Sequence, residues 1–201
     1  MTAFRLGLTG SIGMGKSTTA AMFAAEGLPV WDADAAVHRL YAPGAAGTVA
    51  ISARWPGTLA PDGAIDRTAL KSIVTADAAA LATLESLVHP LVAEDRARFL
   101  ATTTADIVIL DIPLLFETGL DAAMDATLLV TAPPALQRAR VLARPGMTEA
   151  AFRAILSRQM PDADKRARAA HIIETLGLDA ARACVLALID HIRSTGTPDH
   201  A

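Results

Sequence analysis

The chain has 201 residues, 52% hydrophobic and 19% charged, with a formal net charge of −3. That length buries a core as one domain with a small insertion, and the apolar content excludes an intrinsically disordered chain. The slightly acidic balance argues against a general nucleic-acid binder, and one cysteine, Cys184, cannot close an internal disulfide, so a reducing compartment is expected. No secretory leader is expected either, because Arg5 interrupts the only early apolar run. The longest later run, 107–116, is broken by Asp111 and Pro113 and is too short to span a bilayer. A cytoplasmic protein without a membrane anchor is the expectation. Alanine fills 44 positions, favouring helix, and asparagine is absent. That absence excludes the Asn-Lys-x-Asp guanine-reading loop and the catalytic-loop asparagine of protein kinases.

In chain order, Phe4 to Thr9 reads as a short strand ending at glycine, and Lys16 to Ala25 as a helix that stops near Gly27 and Pro29. Pro29 to Trp31 is a second strand running into Asp32-Ala-Asp34. Helical patterns fill most of 35–100, punctuated at Pro43-Gly44, Pro56-Gly57 and Pro61-Asp-Gly63. Asp106 to Ile112 carries Ile-Val-Ile-Leu, the signature of a buried parallel strand, and Thr127 to Thr131 is another. Arginine-rich helical sequence continues to about 169, then 171–173 makes a weak fifth strand before a helix over 178–192, with a tail expected to fray from Ser194. Such alternation predicts an α/β fold, a five-stranded parallel sheet flanked by helices. The second and third strands lie too far apart for one crossover helix, which predicts a helical insertion over about 57–103.

Gly10-Ser-Ile-Gly-Met-Gly-Lys-Ser17 fits the pattern Gly-x4-Gly-Lys-Ser/Thr and lies where that pattern works, after a strand and opening a helix. Glycines let successive backbone N–H groups face one phosphate, and the helix N-terminus adds partial positive charge there. Gly13, Met14, Gly15, Lys16, Ser17 and Thr18 are therefore the candidate nucleotide contacts. Lys16 would reach the β- and γ-phosphates, and the Ser17 hydroxyl is placed to ligate Mg²⁺. This loop implies a nucleoside triphosphate and leaves the reaction open.

Asp32 and Asp34 end the second strand, where ligands of open α/β sheets bind. Alternation puts the two carboxylates on one side if the strand stays extended, and a turn at Ala33 separates them. Either can take a proton from an attacking hydroxyl, order the waters of Mg²⁺, or cap a helix beginning near Ala35. Asp32 joins Ser17 as a candidate metal-side group, and which of Asp32, Asp34 and Asp111 is the base and which orders Mg²⁺ stays open on the residues alone. Asp111 ends the third strand at a place where P-loop proteins hold a magnesium-ordering carboxylate; it and Glu117 have structural and functional readings alike. After Pro113, apolar Leu114 to Phe116 reads as chain leaving the sheet to line a pocket. From Arg138 to Arg168, eight of the eighteen basic residues crowd into a local positive patch. Arg140 and Arg144, four apart, would share one helix face and cover phosphates as a lid; the plainer reading is a solvated helix pair. The five histidines give no metal-ligand spacing, and spacing alone leaves His89 unassigned.

Taken together, these residues resemble the dephospho-coenzyme A kinase family over nearly the whole chain. The resemblance rests on Leu6 to Thr18, Asp32-Ala-Asp34, Ile65 to Leu70, Leu84-Glu85 with His89-Pro90, and Ile112 to Glu117. Gln137 with Arg140 and Arg144, then Gln159-Met-Pro161, continue it in order. It implies ATP-dependent phosphorylation of the ribose 3′-hydroxyl of dephospho-CoA, the last step of coenzyme A synthesis, with ATP and Mg²⁺ as cofactors. It also implies a nucleotide-binding core (about 1–56, 104–135 and 170–201), a substrate-binding insertion (57–103) and a lid (136–169). By position Asp34 corresponds to the family's base and Arg140 to its lid arginine, acting with Lys16. Asp34, His89, Pro90 and Leu114 are the expected substrate contacts. The partner is a small molecule, with neither nucleic acid nor membrane, and a monomer is expected. Where the family often has an Ala-Asp pair and an Asp-Asn-x-Gly turn near adenine, this chain has Ala170-His171 and Glu174-Thr-Leu-Gly177, so no adenine contact is assigned. Kinases acting on sugars or nucleoside monophosphates, and a nucleotide-gated switch, are the competing readings.

Overall fold

A computed structural model describes residues 3–195 of the chain. Strands β1 (Phe4–Thr9), β2 (Val30–Asp32), β3 (Ile107–Asp111), β4 (Ala126–Thr131) and β5 (His171–Glu174) form one parallel sheet in the order β2-β3-β1-β4-β5. Every residue of β3 is buried, as a β-branched run covered on both faces should be. Leu6 and Leu8, Ile107 and Ile109, and Leu128 and Val130 bury the same core, reached from helix α1 (Lys16–Ala25) by Phe23. Burying each such side chain contributes roughly 1.5–3 kcal/mol.

The chain divides into two compact units, one of residues 3–31 with 103–195 and the other Asp32–Thr102. The second unit is all helical: α2 (Ala33–Leu40), α3 (Ala46–Arg54), α4 (Arg67–Ala76) and the 25-residue α5 (Ala78–Thr102). Its own core is Ile51, Ile65, Leu70 and Val88, with Tyr41, Trp55 and Leu84 against it. The unit is wider than the 57–103 insertion expected, because α2 and α3 both pack on α5. Asp66 caps α4 by accepting from the N–H groups of Thr68 (2.8 Å) and Ala69 (3.1 Å), which explains the Ile-Asp-Arg-Thr stretch locally. Pro90 lies inside α5 and does not end it.

Back in the first unit, α6 (Pro134–Leu142), α7 (Glu149–Leu156) and α8 (Asp162–Arg168) occupy the arginine-rich segment. Helix α9 (Leu178–Thr195) then lays Ala181, Val185, Leu188, Ile189 and Ile192 into the sheet's core. That helix still includes Ser194 and Thr195, so the fraying expected from Ser194 does not begin there; residues 196–201 lie outside the described residues. Among the described residues no helix is long and apolar enough to cross a membrane.

Candidate active site

The loop between β1 and α1 is a close-fitted turn. Gly13 has φ 79°, and a Cβ there would lie 2.4 Å from Val141 Cγ2, so no side chain fits. Within the turn Met14 N–H bonds the Ser11 carbonyl at 3.1 Å, and Ile12 N–H bonds Gln159 Oε1 at 3.2 Å. Thr19 N–H returns to the Gly15 carbonyl at 3.0 Å. The N–H groups of Gly15, Lys16, Ser17 and Thr18 have no acceptor among the described residues. Four open donors at one helix N-terminus form a cradle for an anion. Ser17 and Thr18 are exposed in that first turn. Met14 behaves differently from a surface contact. Its buried sulfur accepts from Ala132 N–H at 3.1 Å and its carbonyl from the Thr175 hydroxyl at 2.7 Å, so it anchors the loop from behind.

Lys16 does not point freely into solvent, as an unpaired P-loop lysine would: its ammonium is ion-paired with Asp111, whose side chain is only 2% exposed. The carboxylate at the end of β3 thus holds the ammonium at the carboxyl edge of the sheet. Arg140 donates to both the hydroxyl (2.8 Å) and carbonyl (2.6 Å) of Thr175. A cavity of about 300 Å³ brings Arg140 and Arg144 together with Gly13, Gly15, Thr175 and Leu178. Arg144 lies just past the end of α6 rather than on it. The positive patch expected over 138–168 is largely neutralised. Arg138 and Arg153 share Glu149, Arg166 pairs with Asp162 and Glu174, and Arg168 pairs with Asp121. Lys165 is fully buried against Glu117 at 2.8 Å. Counting charges along the segment misses Glu117, Asp121 and Glu174, which lie outside it.

Glu117 follows Leu114, which is 40% exposed, in the turns after β3. Burial by itself would raise the Glu117 pKa, but the Lys165 ammonium and the Met160 N–H outweigh it and hold the carboxyl below its ordinary value. Glu117 is thereby a structural anchor, and its Oε1 also accepts from Met160 N–H at 2.8 Å.

In the helical unit, Asp32 and Asp34 are separated, because the helix begins at Ala33 and the strand does not continue. Asp32 is its N-cap, with Oδ1 accepting from Ala35 N–H at 2.9 Å. Asp34 lies exposed in the first turn, with no side-chain partner among the described residues. It lines a cavity of about 510 Å³ with Tyr41, Arg67, Leu70 and Lys71. Burial raises the Tyr41 pKa and the nearby Arg67 cation opposes it, the guanidinium lying 5.6 Å from the ring. Arg67 and Lys71 escaped the sequence reading, although their spacing of four after a capping Asp places both on one helix face. His89 and Pro90 are exposed on α5 and are not among the residues lining this cavity. Thr175 lies in the 174–177 turn to which the sequence assigned no contact, because its partners Met14, Thr131 and Arg140 are distant in sequence.

No cluster of three or more acidic, histidine or cysteine ligands occurs among the described residues. A P-loop does not need one: its Mg²⁺ is held by one hydroxyl, the phosphates and a few waters, which the exposed Ser17 fits.

Comparison with known proteins agrees with this geometry. A sequence model of the dephospho-CoA kinase family matches residues 4–178. A dephospho-CoA kinase of Cereibacter sphaeroides is 69% identical, over 97% of this chain and 98% of the relative. Among solved structures, the crystal structure of TT1252 from Thermus thermophilus is 35% identical with a TM-score of 0.83, over 96% of this chain and 100% of the other. A dephospho-CoA kinase from Campylobacter jejuni, 21% identical over 93% of this chain and 96% of its own, has the same fold at a TM-score of 0.65. A parallel sheet with an open amide cradle after its first strand, matched along nearly its full length, places the chain in the dephospho-CoA kinase family.

Proposed function

We propose that the chain transfers the γ-phosphoryl group of ATP to the ribose 3′-hydroxyl of dephospho-CoA, giving coenzyme A and ADP. The observation that carries this reading is the cradle of open N–H groups at residues 15–18 beside Lys16, in a chain of this family. Phosphoryl transfer asks the protein for positioning and charge rather than covalent chemistry. The backbone donors would bind the β-phosphate. Lys16, released from Asp111 as phosphate oxygens compete for it, would follow the charge that develops on the transferred group. Arg140 and Arg144 would close on the nucleotide from the other side of their cavity. Mg²⁺ would be held by Ser17 and the phosphates; Asp32, whose carboxylate caps α2, remains the other metal-side candidate. When bound it neutralises charge on the phosphate oxygens.

For the acceptor, we assign Asp34 as the base, since its carboxylate is exposed and unpartnered while that of Asp32 is committed to a cap. Arg67 and Lys71 beside it would attract the phosphates of dephospho-CoA, and Leu70 and Val74 offer apolar surface to its organic portion. Helix 78–102, with His89 and Pro90, would complete the substrate-binding unit, the segment 136–169 would act as lid, and Leu114 would contact substrate. The test is ADP release with dephospho-CoA supplied beside shikimate, gluconate and nucleoside monophosphates. Turnover is expected with dephospho-CoA alone, and Lys16→Ala is expected to lower kcat/KM by ~10²–10³-fold. Absence of turnover with dephospho-CoA overturns the assignment.

A further inference from the structure

Two glutamine side chains grip opposite ends of one residue in the loop. Gln159 Oε1 accepts from the Ile12 N–H at 3.2 Å, while Gln137 Nε2 donates to the Ile12 carbonyl at 2.8 Å. Gln137 is buried on α6, and Gln159 sits in the link between α7 and α8. That link is itself pinned, because the next residue, Met160, donates its N–H to Glu117 Oε1, and Glu117 is ion-paired with the fully buried Lys165.

We propose that Gln137 and Gln159 are positioning residues for the nucleotide, fixing both ends of Ile12 so that the donors of residues 15–18 stay aimed at one point. The inference rests on reading this loop as the ATP phosphate site. Its chemistry is directional. The Ile12 N–H is turned away from the open donors and toward Gln159, which commits it to the scaffold rather than to phosphate. The Ile12 carbonyl, whose oxygen would repel a phosphate if the peptide flipped, is held outward by the Gln137 amide. Neither glutamine needs to touch the nucleotide. Each removes a loop conformation in which the cradle is spoiled, and binding is then not taxed by the cost of ordering it.

The two positions have opposite requirements, which separates this role from packing. Gln159→Glu keeps an acceptor, whereas Gln159→Met keeps the shape and loses it. Gln137→Met loses the donor, and Gln137→Glu sets a carboxylate against a carbonyl oxygen until it is protonated. The experiment measures ADP affinity by calorimetry and KM for ATP and for dephospho-CoA separately. Both methionine variants are expected to weaken ADP binding and raise KM for ATP about tenfold, the effect of one lost neutral hydrogen bond, with kcat and KM for dephospho-CoA changed less than about threefold. Gln159→Glu is expected to recover most of that loss, and Gln137→Glu to bind ADP better as pH falls from 8 toward 5, as protonation restores a donor. Wild-type affinity in both methionine variants, or equal losses for both substrates, overturns the clamp while leaving the nucleotide site intact. Failure of the wild-type chain to bind ADP overturns the nucleotide reading itself. Should a methionine variant not fold, hydrogen exchange of the Ile12 amide in the wild-type chain decides: protection is expected, and exchange at the rate of an open loop overturns the proposal.

Discussion

The cavity beside the β1–α1 loop and the cavity beside Asp34 are built on contrary plans. Around the phosphate-type loop the framing groups are already engaged, Ile12 by two glutamines, Met14 by Thr175 and Ala132, Lys16 by Asp111 and Arg140 by Thr175, while the N–H donors of residues 15–18 stay open. In the helical unit, Asp34 and Lys71 face their cavity without partners among the described residues, and Arg67 meets only the Tyr41 ring there. The first cavity is preorganised: open backbone donors face its ligand, and Asp111 is the partner the ligand would displace from Lys16. The second keeps its charges open, and its ligand supplies the partners. The difference would suit the ligands proposed for them, ATP for the first and dephospho-CoA for the second. A triphosphate concentrates negative charge that rewards a rigid cradle of aimed donors, whereas a long flexible acceptor rewards exposed charge and apolar surface.

The largest effect that would sharpen this contrast is at Asp34. Asp34→Asn is expected to depress kcat by ~10²–10⁴-fold while ADP affinity stays at the wild-type value. A fall below tenfold would reduce Asp34 to an acidic residue in a helix's first turn. At Asp32, by comparison, substitution with alanine is expected to show mainly as a lost cap, costing ~0.5–2 kcal/mol of stability.

Next comes the Lys165–Glu117 ion pair, which pins the link that carries Gln159. Lys165→Met strands Glu117 and is expected to cost ~3–5 kcal/mol in denaturant unfolding, whereas pairing it with Glu117→Gln is expected to restore much of that loss. Because the Glu117 pKa is depressed in the folded chain, its stabilisation is present above the ordinary carboxylate value of 4.5 and is lost as pH falls through the folded value. The double variant is expected to lack that acid-sensitive component. Equal acid sensitivity in the two chains would show the pair to be idle.

The smallest effect lies at His171, on the edge strand β5. Burial, and then the facing His191 ring 5.8 Å away, push its pKa below the ordinary 6.5. The unfolded chain takes up this proton first as pH drops. Stability is therefore complete above 6.5 and declines as pH falls through that value toward the lower folded one. His171→Gln is expected to flatten melting temperature against pH in this window, and an unchanged slope would remove His171 from the account.

The anion loop was legible because its spacing, its preceding strand and its following helix are local features, and the family resemblance extended the reading along the chain. Local capping defeated strand alternation at Asp32: once its carboxylate accepts from Ala35 N–H, the helix starts at Ala33 and the two aspartates part. The supports of the loop were not legible, since Thr175 lies 161 residues from Met14 and Gln159 lies 147 from Ile12. Charge counting misled over 138–168, where Glu117 and Asp121 come from outside the segment to neutralise Lys165 and Arg168. Only tertiary structure shows which cations are spoken for.

The fate of the three lysines gives the chain a built-in handle. Lys165 is fully buried and the Lys16 side chain is only 16% exposed, whereas Lys71 stands in the open on the cavity that holds Asp34. Among the lysine side chains an amine-directed fluorophore would therefore settle chiefly on Lys71. It would install an optical reporter in the cavity beside Asp34 without engineering a single new residue.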